Sequence, residues 1–244
     1  MNYSDNINEI PVDPGYQPVL AEDDGLQITD FRKGDFEWWY FDIDDQKSGC
    51  FLKIVLHIGT DPLRRKIFPQ LALSVNTPEV SVSPTLPFDF GELKADTRRC
   101  NISVFDKIKI WSEINEKPEY FIKIDIPGFL CNLRFTPILE GWKTPGYKSA
   151  HRSGKKKCEF YWVVPQPKAK VEGEFSFDNK IYKIAGATGY HDHNYQKVDR
   201  EHPLYLDALV NKWYWGKCCF GNYMMIFMDI HLKKSRSQSI MVAE

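Results

Sequence analysis

Gly189-Tyr190-His191-Asp192-His193-Asn194 places a phenol, a carboxyl, two imidazoles and an amide within six residues. A β-prone run, Lys180-Ile181-Tyr182-Lys183-Ile184, precedes it, and Gly186 and Gly189 punctuate the junction. Side chains alternate along an extended chain. That predicts Tyr190, Asp192 and Asn194 on one face and His191 and His193 on the other. A Tyr/Asp pair and a His/His pair carry different chemistry, so function turns on which face meets a cavity.

The rest of the chain reads as more of the same secondary structure. Glu37-Trp38-Trp39-Tyr40-Phe41-Asp42 is a β-prone, strongly aromatic strand. Asp44 to Gly49 is a turn, and Cys50 to Ile58 completes a hairpin. Lys66 to Val75 is a third strand, with Pro69 marking an edge or a bulge. Pro78, Pro84 and Pro87 make a loop of residues 76–90. Lys107 to Trp111 and Tyr120 to Ile124 alternate polar and apolar, as half-buried antiparallel strands do. Ile102 to Val104 and Cys131 to Thr136 accompany them. Further short strands are predicted at Glu159 to Val164, Lys170 to Phe177, Lys180 to Ile184, Trp213 to Gly216, Tyr223 to Leu232 and Ser239 to Val242. No window carries a convincing helical stripe, and Leu204 to Asn211 is the single short-helix candidate.

Many short strands separated by turn signals predict an all-β fold, a sandwich or barrel. Ser153-Gly154-Lys155-Lys156-Lys157 is a polar break, and an aromatic strand follows early in each half. The expected organisation is an N-terminal arm over residues 1–30, a first β domain over 31–154 and a second over 155–244. The second is expected to be incomplete, since the chain ends on a strand-like run.

The 244 residues carry a formal net charge of -1, 43% hydrophobic and 27% charged residues. That balance suits a globular domain with a sizeable core and gives no footing for nucleic acid or an anionic membrane. Aromatic content reaches 14%, with seven Trp, more than a core of this size requires. The N-terminus lacks a basic region and an apolar run, and no stretch approaches the length of a spanning helix. A cytoplasmic location is expected, with peripheral membrane contact compatible and the oligomeric state open. The six cysteines include no CxxC pair and are expected to be reduced, mostly buried thiols.

Three chemistries compete at the opening stretch. Asp192 with Tyr190 suits a buried acid, but the blander reading is a structural carboxylate hydrogen-bonded to loop amides or to Tyr190 at a domain junction. His191 and His193 could supply two metal ligands from one face, yet no third ligand shows a matching spacing, so no metal is expected. Gly186-Ala187-Thr188-Gly189 precedes no helix and carries no Lys-Ser/Thr, so it is not a phosphate loop. Nor is there a Gly-x-Ser-x-Gly elbow. No cofactor is expected.

Glu37 to Asp42, then Gly189 to Asn194, then Trp213-Tyr214-Trp215-Gly216 together resemble the AttH-like family, which includes hydroxyneurosporene synthase (carotenoid 1,2-hydratase). Tyr161-Trp162, Val171-Glu172-Gly173 and Ile184-Ala185-Gly186 sit where that family has its aromatic pair and two strand ends. The resemblance implies two tandem lipocalin-like antiparallel β-barrel domains and a cavity for a hydrophobic small molecule. In the hydratase branch a carboxylic acid protonates an isoprenoid double bond, and water captures the cation. Asp192 matches that acid, with Tyr190 and an aromatic near Trp162 in support. The implied substrate-binding set is Trp38, Trp39, Tyr40, Trp162, His191, His193, Asn194, Trp213 and Trp215. Tyr195-Gln196 departs from the family's Trp-Gly. Tocopherol cyclases and certain fungal Diels–Alderases are similar in architecture, so cyclisation competes with hydration. A lipocalin-like binding protein without chemistry is the alternative.

Overall fold

The computed structural model describes residues 17–60, 67–114, 117–143, 147–150, 157–202, 210–232 and 235–243. The side chains of residues 60, 67–68, 147–150, 157–158, 232 and 235–243 fall outside that description. So do most of the arm, the polar break and all but the last two residues of the short-helix candidate.

The described residues are almost entirely strand. The first group is β1 (Gln17–Pro18), β2 (Phe36–Asp45), β3 (Cys50–Thr60), β4 (Ile67–Asn76), β5 (Ser81–Val82) and β6 (Thr85–Pro87). Next come β7 (Leu93–Ala95), β8 (Asn101–Val104), β9 (Ile108–Ile114), β10 (Pro118–Ile126), β11 (Phe129–Pro137), β12 (Trp142–Lys143) and β13 (Tyr147–Ala150). The last are β14 (Lys157–Phe177), β15 (Lys180–Val198), β16 (Val210–Phe220), β17 (Tyr223–Leu232) and β18 (Ser235–Ala243). Single 3₁₀ turns occur at Ala21–Asp24 and Phe90–Glu92.

One large antiparallel sheet runs β5-β4-β3-β2-β15-β14-β11-β10-β9-β8-β7, and a small one runs β16-β17-β18. The large sheet curls as a lipocalin-like barrel does. Its inner face gathers Trp39, Phe41, Leu56, Ile110, Ile122, Phe135 and Val171, each fully buried, into one core. Residues 19–31 lie across that face and add Ile28 and Phe31 to it. The small sheet covers part of the outer face. There Met224, Ile226, Met228 and Ile230 pack with Trp162, Val164 and Tyr190 in a second apolar cluster. β2 and β15 are therefore a shared wall, buried on both sides.

β14 and β15 are longer than the short strands expected from sequence. β14 spans 21 residues and β15 spans 19. Pro165 and Pro167 stand in the gap between the expected strands Glu159 to Val164 and Lys170 to Phe177, and Gly186 lies beyond the end of Lys180 to Ile184, but the hairpin absorbs all three as irregularities. The register slips between Val163 and Gln166, between Gln166 and Ala169, and again at Val171/Glu172. The prolines are tolerated because β12 pairs only as far as Val164 and β11 begins at Ala169. No neighbour on that side needs their missing N–H groups. Asp178 and Asn179 turn the hairpin at φ 49° and 65°, the left-handed pair that suits strand twist.

Cys50, Cys100 and Cys131 are free and buried, as expected, whereas Cys218 and Cys219 are free and exposed. No helix among the described residues is long and apolar enough to cross a membrane.

Candidate functional site

The alternation read from Gly189 to Asn194 is realised, and its two faces meet different surroundings. Gly189 opens the stretch where backbone must approach closely. A Cβ there would lie 2.4 Å from Val171 Cγ2 and 2.8 Å from Phe135 Cε1. β15 then pairs with β2 so that Tyr190 faces Asp42, Asp192 faces Tyr40 and Asn194 faces Trp38.

His191 and His193 point into the first core and are fully buried. His191 stacks on Phe41 (ring centroids 3.8 Å apart), and His193 stacks on Trp39 (4.5 Å). His191 Nδ1 meets the Tyr40 carbonyl at 3.0 Å and Nε2 meets Asp24 Oδ2 at 3.1 Å. His193 Nδ1 meets the Asp23 carbonyl at 3.0 Å and Nε2 meets Glu37 Oε1 at 2.9 Å. All four ring nitrogens lie within hydrogen-bond reach of an oxygen acceptor. The carboxyls of Asp24 and Glu37 anchor the two rings. Glu37 also accepts from the backbone N–H groups of Gln27 (2.7 Å) and Ile28 (2.9 Å). Tyr120 donates to Asp24 at 2.7 Å. Burial alone would lower the His193 pKa, but the hydrogen bond and charge of Glu37, with Asp24, raise it. Both nitrogens of each ring are engaged within the core, so neither ring has one turned toward a metal. Trp39, His191 and His193, which the resemblance assigned to substrate, thus sit on the wall's far side.

The other face borders a cavity of about 220 Å³ between the sheets. The shared wall contributes Trp38, Tyr40, Asp192 and Asn194, and β14 contributes Trp162. Trp213, Trp215 and Met228 close it from the small sheet, with Val55 at its margin. Trp38 approaches Trp213 (6.3 Å between centroids) and Tyr40 meets Trp215 edge-on at 5.4 Å. Val55 and Met228 carry no polar signal that sequence could reveal.

Asp192 is 5% exposed. Tyr190 Oη donates to Oδ2 at 2.8 Å, Trp162 Nε1 donates to Oδ2 at 3.3 Å and Asn194 Nδ2 donates to Oδ1 at 2.8 Å. Burial pushes the pKa of this carboxyl up to about 6, against the pull of the Tyr190 and Trp162 hydrogen bonds and the His191 charge, and Asp42 adds to the rise. Tyr190 itself is fully buried behind the acid and does not border the cavity. Gln196, in place of a family glycine, is buried and donates to the Gly34 carbonyl at 2.6 Å.

Two charged residues missed in sequence complete the face. Asp42 accepts from Tyr40 Oη at 3.0 Å and is ion-paired with Lys217 of β16. The signal for the first was present: Tyr40-x-Asp42 repeats the pattern Tyr190-x-Asp192.

No family model matches the chain. It is 24% identical over 214 residues to the quinolone epoxide rearrangement protein asqO of Emericella nidulans, over 80% of this chain and 54% of that protein. The chain thus spans about half the length of the curated relative it matches. In fold it is similar to the crystal structure of a protein described as AttH from Nitrosomonas europaea, with a TM-score of 0.61 at 15% identity over 94% of this chain and 70% of that one. It is also similar to kievitone hydratase from Nectria haematococca, with a TM-score of 0.51 at 11% identity over 97% of this chain and 66% of that one. The likeness to AttH-type and hydratase structures agrees with the resemblance carried by the three sequence motifs.

Proposed function

We propose that the chain binds a hydrophobic, isoprenoid-type small molecule in the cavity between the sheets. There Asp192 acts as a general acid, opening a double bond or epoxide to hydration, cyclisation or rearrangement. One observation carries this reading: a buried carboxyl, held by three neutral donors, faces a cavity walled by tryptophans. A carboxyl with a pKa of about 6 keeps roughly a tenth of its molecules protonated at pH 7. An acid poised near the operating pH donates efficiently.

The cation that follows protonation meets the faces of Trp38, Trp162, Trp213 and Trp215. Each aromatic face in such a contact contributes about 0.5–2 kcal/mol. Tyr190 and Asn194 fix the carboxyl's direction. A relative named for an epoxide rearrangement and a fold neighbour named for a hydration support acid-initiated chemistry over passive binding.

Citronellol, with one isolated trisubstituted double bond, and its epoxide are suitable probes in deuterated water. The alkene should give product carrying deuterium at the protonated carbon, and the epoxide, protonated on oxygen, should give opened product with none fixed on carbon. Asp192→Asn should lower either rate about 10²–10⁴-fold while saturable quenching of Trp fluorescence by the same probe persists. Turnover should also fall as pH rises through about 6. Undiminished turnover in Asp192→Asn would remove the acid assignment and leave a lipocalin-like carrier.

A further inference from the structure

Asp192 has a counterpart on the neighbouring strand. Tyr40 and Asp42 of β2 face Asp192 and Tyr190 of β15, in that order. Opposed residues on paired strands stand about 4.5–5.5 Å apart at Cβ. Two Tyr-x-Asp dyads therefore lie head to tail on one face of one wall. In each, the phenol donates to the carboxylate two residues on, at 2.8 Å for Tyr190 and 3.0 Å for Tyr40.

Their surroundings separate them. Asp192 meets neutral donors and borders the cavity. Asp42 is 1% exposed, lies behind Tyr40 and carries the Lys217 ammonium. That ammonium also sits 5.0 Å from the centre of the Tyr190 ring. Two carboxyls whose environments differ in this way mark an acid and a base. Tyr40 borders the cavity, and its hydrogen is committed to Asp42. Its oxygen therefore offers lone pairs to anything else.

Resting on the reading of Asp192 as the acid, we propose that Tyr40 is the base of the same site. Asp42 receives the Tyr40 proton, and Lys217 positions Asp42 and holds it as the carboxylate. For a hydration the steps balance as follows. The Asp192 proton forms a C–H bond as the alkene π bond breaks. A water oxygen then bonds to the cation. One water proton moves to Tyr40 Oη while the Tyr40 proton moves to Asp42. The net change is one proton shifted from Asp192 to Asp42, and exchange with solvent resets it.

The other groups around the dyad are consistent with a relay. Asp44 follows on the same strand, Lys53 stands opposite Asp42 on β3, and Tyr190 stands opposite it on β15. Burial raises the Asp42 carboxyl, Lys217 and the Tyr40 hydrogen bond oppose the rise, and Asp44 adds to it. Burial, together with the charges of Asp42 and Asp192, pushes the Tyr40 phenol up. Tyr40 is thus no standing phenolate, and its proton must leave as another arrives.

Citronellol in deuterated water separates this step from protonation. Tyr40→Phe and Asp42→Asn should cut product about 10²–10⁴-fold, while recovered substrate still gains deuterium. Protonation would then continue with the cation falling back to alkene. Asp192→Asn should abolish product and exchange together. Lys217→Met should behave as Asp42→Asn at pH 7 and close the gap to wild type measured at the same pH as pH rises, whereas Lys217→Arg should track wild type throughout. A wild-type product rate in Tyr40→Phe, or loss of exchange together with product there, would overturn the relay. Wild-type protein that neither exchanges nor turns over either probe would instead overturn the assignment of Asp192, and the relay with it. Tyr40→Phe keeps the ring, and far-UV circular dichroism checks its fold.

Discussion

The two faces of the β2–β15 wall use the same residue types to opposite ends. On the core face, every ring nitrogen of His191 and His193 meets an oxygen, and Asp24 and Glu37 anchor the rings. On the cavity face, Asp192 accepts hydrogen bonds from the neutral groups of Tyr190, Trp162 and Asn194, and burial lifts it to about 6. A buried carboxylate that meets cations and backbone N–H groups is structural. One that meets neutral donors beside open space is lifted toward the operating pH and can give its proton away.

The most damaging way to break that contrast is Glu37→Ala. It strands the His193 imidazolium and two backbone N–H groups in a dry core. Removing one partner of a buried pair costs about 3–5 kcal/mol. Urea unfolding should therefore show a midpoint collapse far larger than any substitution at the cavity face. A loss below about 1 kcal/mol would mean that the network behaves as a surface pair.

The division of faces was legible in six residues because alternation is a local property of extended chain. Asp192 and its Tyr190 support could be read the same way. Trp38 and Trp39 could not be assigned to sides, since that depends on which face of β2 the small sheet covers. The Tyr40–Asp192 opposition depends on the register of a pairing about 150 residues apart in sequence, which no local pattern specifies. Lys217 arrives from a different sheet altogether. The continuous hairpin from Lys157 to Val198 was hidden for a related reason, since Pro165, Pro167 and Gly186 stand inside it. Each is a breaker by local propensity, yet each is tolerated where a neighbouring strand ends or the register slips.

Asp192→Asn sharpens the comparison through stability rather than rate. The folded pKa of Asp192, about 6, lies above its ordinary value of 3.8. Its contribution is therefore fully favourable below pH about 4 and is lost as pH rises through about 6. Above that window the native state holds a buried anion. The amide avoids this cost, and Asn194 can turn its own amide to match. The variant should be more stable than wild type by about 1–2 kcal/mol at pH 8, with the advantage vanishing near pH 4. His193 also loses stabilising effect as pH rises, since its folded pKa is raised, but that slope should persist in Asp192→Asn. A pH series of thermal midpoints on both proteins separates them, and an unchanged slope near pH 6 would count against a titrating Asp192.

Trp162→Phe makes the smallest change and reports on the acid most directly. It removes one donor at 3.3 Å while keeping a ring against Trp142, whose centroid lies 5.0 Å away. One such hydrogen bond is worth about 0.5–1.5 kcal/mol net, so folding should be little affected. The Trp162 bond favours the charged form of Asp192 and lowers its pKa. Its loss should move the Asp192 titration upward, seen by carbon NMR of the labelled carboxyl, and shift the pH limit of turnover in the same direction. Rate and titration moving together would tie catalysis to this carboxyl without deleting it. A titration that moves while the rate profile stays fixed would mean that some other group supplies the proton.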